Sequence, residues 1–321
     1  MPQHKRYRVC GMQISSSVPF PELRALPKSK GEYYPDMEFE IGGDISLHNS
    51  GQVVMTVEEP DGTPWMTCTK TSQGYRLHFT NIADFLVDPS GRRVSCIAPP
   101  GTPPETIRHL FLDQVIPPLL NLRGTEALHA SAIATAQGAC AFIGMSGQGK
   151  STLASAFHVL GYPILCDDCL VLKDDPDSIL VQPAYPGLRL WDDSRGTFFG
   201  NRRSTPPVSH YNDKRRVSTH ASDSATRDFL PLRRIYSLRR SDAGGPAGQP
   251  HIEPLSILDA LVELLSYTFR LDLTDQTMIL RQMRVLERVA REVPVRRLRL
   301  PDDLKLLPAA SEMILQDLGQ G

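Results

Sequence analysis

The sequence has neither an imbalance of charge nor a long apolar run. Its 35 Lys and Arg stand against 36 Asp and Glu, a net charge of −1. A protein built mainly to bind nucleic acid usually carries a strongly basic face, so nucleic acid is not an expected partner. Basic clusters do occur, at Arg202-Arg203, Lys214 to Arg216, Arg233-Arg234, Arg239-Arg240 and Arg296-Arg297. They are dispersed and read as solvated loops and strand edges. No apolar stretch approaches the ~20 residues of a membrane span, which removes the membrane as an expected partner. The opening "MPQHKRYRVCGMQ" lacks the apolar core and small-residue cleavage site of a secretory leader. The 6 cysteines are few and irregularly spread, which is not a disulfide framework. A reducing cytoplasm is the expected home. There is no internal repeat.

What is present falls into two parts. A chain of 321 residues is long enough for two packed domains. Residues 1–100 read as a β-rich domain: "YRVCGMQIS", "MEFEIGG", "QVVMTV", "WMTCTK" and "YRLHFT" are short, rich in β-branched and aromatic residues, and separated by turns such as "PDG" and "PSG". Residues 101–321 read as an α/β domain. Thr102 and Glu105 have capping-box spacing, Ile107, Leu110, Phe111 and Val115 mark a helical face, and Pro117-Pro118 should kink or end the helix. Then "ALHASAIAT" and "ACAFIG" read as strands, "GKSTLASAFHVLG" as a helix stopped by Gly161, and "PILCDDCLVL" and "ILVQPAY" as strands. Strand, loop, helix, strand is the grammar of a nucleotide-binding core. A polar excursion from about Arg195 to Arg227 has little periodicity. "PLRRIYSLRR" is a strand, "SDAGGPAGQP" a linker-like loop, and helices are expected over 256–270 and 275–292, the second with Ile279, Met283 and Leu286 facing the core.

"GMSGQGKS", Gly144 to Ser151, fits G-x-x-x-x-G-K-[ST] between an apolar strand and a helix. Gly144, Gly147 and Gly149 let the backbone turn its N–H groups onto phosphate oxygens. Ser146, Gln148 and Thr152 belong to the same wall. The helix N-terminus adds partial positive charge. Lys150 reaches the β- and γ-phosphates, and the Ser151 hydroxyl can ligate magnesium. The expected ligands are the phosphates of a nucleotide and Mg2+. The guanine motif N-K-x-D, an L-S-G-G-Q stretch and the H-R-D and D-F-G pair of protein kinases are all absent.

Asp167 and Asp168 end an apolar strand just after this helix, and ligands sit at the carboxyl ends of strands in open α/β sheets. One acid can hold magnesium and the other can take the proton of an attacking hydroxyl. Cys166 and Cys169 flank them as Cys-x-x-Cys. A structural zinc site wants a second such pair, and a redox dithiol normally opens a helix. The cysteines therefore read as small apolar filler. His129 in "LHASAI" is a lone histidine, a type more often structural than functional.

The order "LHASAI", "AFIGMSGQGKSTLA", "GYPILCDD" resembles the C-terminal catalytic domain of HPr serine kinase/phosphorylase. The resemblance covers residues 123–192 well and the rest only in pattern. "YRVCGMQISSSVPFPEL" and "DQVIPPLLNLRG" look like the stand-alone kinases of that family that phosphorylate the C-terminal serine of a lasso-peptide precursor. The resemblance implies an α/β, P-loop-containing HPr-kinase-like (PEP carboxykinase-like) core behind a β-rich N-terminal domain. It implies that Gly144 to Thr152 bind ATP, that Asp167 is the general base toward a serine hydroxyl, that Asp168 and Ser151 serve the metal, and that His129 lies in the active site. The partner it implies is a peptide or small protein with an acceptor serine. The family's metal-binding Glu has no counterpart; the nearest segment, "YPGLRLWDD", has Arg189, and Asp192, Asp193 or water would fill the place. Lys214 and Arg215 read equally as a mobile substrate loop meeting phosphate or carboxylate and as a solvated charge run. HPr kinases assemble as hexamers, so a homo-oligomer is one open state, but the different N-terminal half does not carry that assembly over. A bifunctional kinase/phosphorylase, a small-metabolite kinase and a non-catalytic nucleotide-sensing partner are the alternative functions.

Overall fold

The computed structural model describes residues 4–27, 34–42, 50–185, 187–200, 205–218, 229–240 and 249–319. The Arg202-Arg203 cluster, much of the polar excursion (201–204 and 219–227) and the linker-like 241–248 lie outside the described residues. Contacts divide the chain into two compact units. The first holds residues up to Thr125 together with 209–211 and 269–282; the second holds 126–208, 212–268 and 283 onward.

The first unit is built on a sheet of β1 (Lys5–Val9), β2 (Met12–Ser16), β3 (Met37–Ile41), β4 (Gln52–Glu58), β5 (Pro64–Thr71), β6 (Gly74–Phe79), β7 (Ala83–Val87) and β8 (Arg93–Ile97). Among the described residues its order is β1-β2-β3-β8-β7-β6-β5-β4. Most neighbours are antiparallel hairpin partners, while β3 runs parallel to β2 and β8. Alternation puts Met37 and Phe39, Cys68, Leu77 and Phe79, and Phe85 and Val87 inside. Helices α1 (Pro104–His109) and α2 (Ile116–Leu122) belong to this unit, although the sequence assigns the stretch after Gly101 to the second domain. Phe111 stacks on Phe39 with ring centres 3.9 Å apart, which fixes the helical segment to the sheet.

Two local expectations are corrected here. Pro103, not Thr102, is the N-cap of α1, and Thr102 Oγ1 instead donates to Pro99 O. Pro117-Pro118 do not end the helix. A π-helical turn, Leu110–Val115, joins α1 to α2, and its wide hydrogen bonding ends with Ile116 N–H donating to Phe111 O. The prolines therefore fall in the first turn of α2, where a missing N–H costs little.

The second unit contains β9 (Glu126–Leu128), β10 (Ala130–Thr135), β11 (Gly138–Ile143), α3 (Lys150–Val159), β12 (Ile164–Cys166), β13 (Leu170–Asp175), β14 (Ser178–Gln182), β15 (Leu188–Leu190), α4 (Asp192–Phe199), β16 (Pro207–Ser209, its last residue counted with the first unit), β17 (Asn212–Val217), β18 (Leu230–Arg240), β19 (His251–Pro254), α5 (Ile257–Ser266), α6 (Gln276–Glu292, up to Gln282 counted with the first unit), β20 (Val295–Leu300) and α7 (Leu307–Asp317). The largest sheet runs β12-β10-β11-β18-β14-β13-β9 among the described residues, and β20 joins β18. β11, which feeds the glycine loop, is buried along its whole length and runs parallel to β18. β15, β17 and β16 form a separate small sheet. Helix α3 ends as expected: Gly161 takes φ +93°, and Tyr162 N–H donates back to Phe157 O. Ser256 caps α5 by accepting from Asp259 N. The expected core face of α6 is corrected at one end: Leu286 is fully buried but Ile279 is exposed. Among the described residues no helix is long and apolar enough to cross a membrane.

Two runs that read as single strands are broken. "ALHASAIAT" splits at His129 into β9 and β10, and "ILCDDCLVL" splits at Asp167–Cys169 into β12 and β13. The breaks face each other, because Leu128 pairs with Leu170 on one side and Ala132 with Cys166 on the other. Asp168 sits at φ +70°, a left-handed conformation that Asp tolerates better than bulky residues and that stops a strand.

Candidate active site

The site lies where these breaks meet the glycine loop. The loop leaves β11 at Gly144 and re-enters regular structure at Lys150, with Gly149 as N-cap of α3 at φ +95°. That conformation strains any side-chain-bearing residue, so glycine at 149 is a backbone requirement. Gln148 Oε1 accepts from Met145 N at 2.9 Å and braces the loop from within. Lys150 is buried, its Nζ donating to Gly144 O at 2.7 Å and Met145 O at 3.3 Å. Burial pulls its pKa down, while Asp168 and Asp167 pull it back up.

The two aspartates have different surroundings. Asp167 is 2% exposed. Its Oδ1 accepts from Ser131 Oγ at 2.5 Å and from Ser151 Oγ at 2.8 Å, and its Oδ2 accepts from Arg189 N at 2.9 Å. Burial first, and the neighbouring Asp168 charge second, push its pKa up. Asp168 lines the pocket. Its Oδ1 is 3.8 Å from His129 Nε2 and its Oδ2 is 3.4 Å from Arg189 Nε. Loss of bulk water and then the Lys150 charge hold the His129 imidazole down, at about 4, against the pull of Asp168, so it is neutral at pH 7.

The resemblance implies Asp167 as the base and Asp168 with Ser151 for the metal; the structure gives the two acids different surroundings. Ser151 is bonded to Asp167, which is enclosed, whereas Asp168 is the carboxylate in the pocket beside His129. The left-handed backbone at Asp168 ends the strand at this pair.

Magnesium is a hard cation that takes oxygen ligands octahedrally and commonly shares them between one or two protein groups, substrate phosphates and water. Ser151 Oγ beside Asp167 Oδ1, at the start of α3, is a donor pair of that kind. Asp192 and Asp193 do not line the pocket; Asp192 pairs with Arg195, and Asp193 Oδ1 accepts from Ser194 N. Among the described residues no group of three or more His, Cys, Asp or Glu could hold a metal by itself. The fit is therefore to a cation that completes its shell on phosphate oxygens.

The three candidate cationic contacts separate. Arg189 is 2% exposed and its guanidinium is engaged, with Nη1 donating to Asp167 O at 2.8 Å and Nη2 bonded to Tyr185 Oη. It holds the aspartate pair and forms part of the wall. Lys214, on β17, lines the pocket. Arg215 pairs across the small sheet with Leu190 and does not line it. Cys166 and Cys169 are both buried and not joined in a disulfide, and Cys166 lies in the apolar core around β10 and β18.

Four residues were missed. Ser131 was legible as the residue two beyond His129 on a strand. Tyr185 and Trp191 flank the segment of Arg189 without any motif of their own. Arg240, whose Nη2 donates to Gly147 O at 3.0 Å, comes from the far end of β18 and had no local signal.

No family model matches the chain, and no curated protein matches it. Among solved structures it is similar to the HPr(Ser) kinase/phosphatase from Coxiella burnetii, at 14% identity and a TM-score of 0.32, over 60% of this chain and 97% of that chain.

Proposed function

We propose that the chain is an ATP- and magnesium-dependent kinase that phosphorylates a serine hydroxyl on a peptide or small protein. The observation that carries this reading is the junction of Ser151 with Asp167, 2.8 Å apart at the mouth of a G-x-x-x-x-G-K-S loop, with a second carboxylate in the same pocket. A nucleotide-binding module without chemistry has no need of that second carboxylate.

Each residue has a role. The backbone of Gly144 to Gly149 and the amino end of α3 bind the phosphates, and Lys150 leaves its carbonyl partners to meet the β- and γ-phosphates. Ser151, aligned by Asp167, is the protein ligand of magnesium, which when bound neutralises charge on the phosphate oxygens. Asp168 accepts the proton of the acceptor hydroxyl as its oxygen bonds to the γ-phosphorus and the bond to the ADP oxygen breaks. Neutral His129 stands 3.8 Å from Asp168 and can orient it from that side. Arg189 fixes both carboxylates.

The acceptor follows from the resemblance in "YRVCGMQISSSVPFPEL" and "DQVIPPLLNLRG": the C-terminal serine of a lasso-peptide precursor. Mass spectrometry of such a peptide after incubation with ATP and magnesium tests it. Phosphate should appear on the terminal serine and be absent when that serine is alanine. If the peptide stays unmodified while ATP binds, the acceptor assignment fails. Adding inorganic phosphate to the product tests for phosphorylase activity, which this reading does not expect.

A further inference from the structure

The pocket is lined by both acidic and aromatic groups. The acid is Asp168, with His129 beside it. The aromatic group is Trp191, the N-cap residue of α4, the largest aromatic among the described residues that line the pocket. Helix α4 is tied to the phosphate-loop helix beside it, since Thr152 Oγ1 and Ser194 Oγ are 3.2 Å apart. Thr152 follows Ser151 along α3. Thr152 and Trp191 line the same pocket as Lys150, Ser151 and Asp168. The indole is 44% exposed. Its ring is also in use as an electron-rich face: Lys214 Nζ lies 5.6 Å from the ring centre, within cation–π range.

We propose that Trp191 is the platform on which the base of the phosphate donor stacks, and that Lys214 exchanges the indole face for the polyphosphate when the donor binds. This inference rests on the ATP-dependent reading above and adds to it the side chain that holds the donor's base. Stacking uses the π-face that every base has, so it separates adenine from guanine poorly. It favours purines over pyrimidines through the larger ring.

The test compares ATP, UTP and inorganic tripolyphosphate, each with magnesium, by calorimetry on the full chain. Trp191→Ala should weaken ATP by about tenfold, the usual scale of one base stacked on one aromatic ring. It should leave tripolyphosphate within about twofold, and Trp191→Phe should recover most of the ATP affinity. Wild type should bind ATP more tightly than UTP. Equal weakening of ATP and tripolyphosphate by Trp191→Ala, or no weakening of ATP, overturns the stacking role. In that case the phosphate-loop reading still stands if Lys150→Ala abolishes tripolyphosphate binding. If neither ligand binds wild type, both fall together.

Discussion

Asp167 and Asp168 are chemically alike and adjacent, and their surroundings divide them. Asp168→Asn should lower kcat by about 10²–10⁴, the usual worth of a positioned base, with ATP affinity changed only a few-fold. Asp167→Asn should act differently, raising the magnesium concentration needed for half-maximal rate because the negative charge beside Ser151 is lost and an amide NH2 replaces the oxygen that accepts from Arg189 N. Paired kcat and magnesium titrations of the two variants check this; the reverse pattern would return the base to Asp167. His129 gives a pH prediction. Its ordinary value is 6.5 and it is held at about 4 in the fold. Between these values the unfolded chain binds a proton that the folded chain does not, so this residue lowers stability as pH falls from 6.5 toward 4 and has no effect above. Denaturant midpoints at pH 7.5 and 5 should therefore diverge more in wild type than in His129→Gln, and equal slopes would contradict the shift. The cysteines carry no such role. Cys68 and Cys96 are pushed up to about 12 by burial, and all 6 thiols are buried. A chromogenic disulfide reagent at pH 8 should find almost none in the folded protein and 6 in denaturant.

At the scale of elements, the sequence was most legible where one local rule sufficed. The strand β11, the loop, α3 and its Gly161 stop are each set by composition and neighbouring residues, and all stand where the sequence puts them. It was least legible where a strand changes partners. In "ILCDDCLVL" the aspartate pair marks a strand end, but in "ALHASAIAT" nothing local announces a break, because the residues around His129 are strand-compatible. Pairing to β11 on one side and to β14 on the other makes the breaks. The proline pair shows the same limit: a π turn, invisible to a 3.6-residue period, lets Pro117 and Pro118 open a helix. That segment is held to its sheet by Phe111 against Phe39 and Phe20. Phe111→Ala should cost about 3–5 kcal/mol by chemical denaturation, as for other fully buried phenylalanines. A loss near the level of a surface substitution would mean the aromatic stack does not anchor the helices.

At the scale of the molecule, the chain visits its first unit three times, and the late visit matters. Asp272 in that visit has a fully buried carboxylate that accepts from Lys70 Nζ at 2.8 Å and Tyr75 Oη at 3.2 Å. The sequence boundary near residue 100 does not foresee this, since nothing local to Asp272 names its partners. A fragment ending at Thr125 lacks Asp272 and leaves the Tyr75 hydroxyl without that acceptor. It should be markedly less stable than the full chain, and circular dichroism on heating checks it. Asp272→Ala in the full chain isolates the contact and should cost about 1–3 kcal/mol.

The sequence by itself determined the phosphate loop, the helix behind it and the need for an acid nearby, because each depends on residues close together in the chain. The tertiary structure decided which acid faces the pocket, which cation holds the pair, and that an indole lines the same pocket. Those are matters of direction. Direction at Asp168 is set by two interrupted strands that meet only after folding.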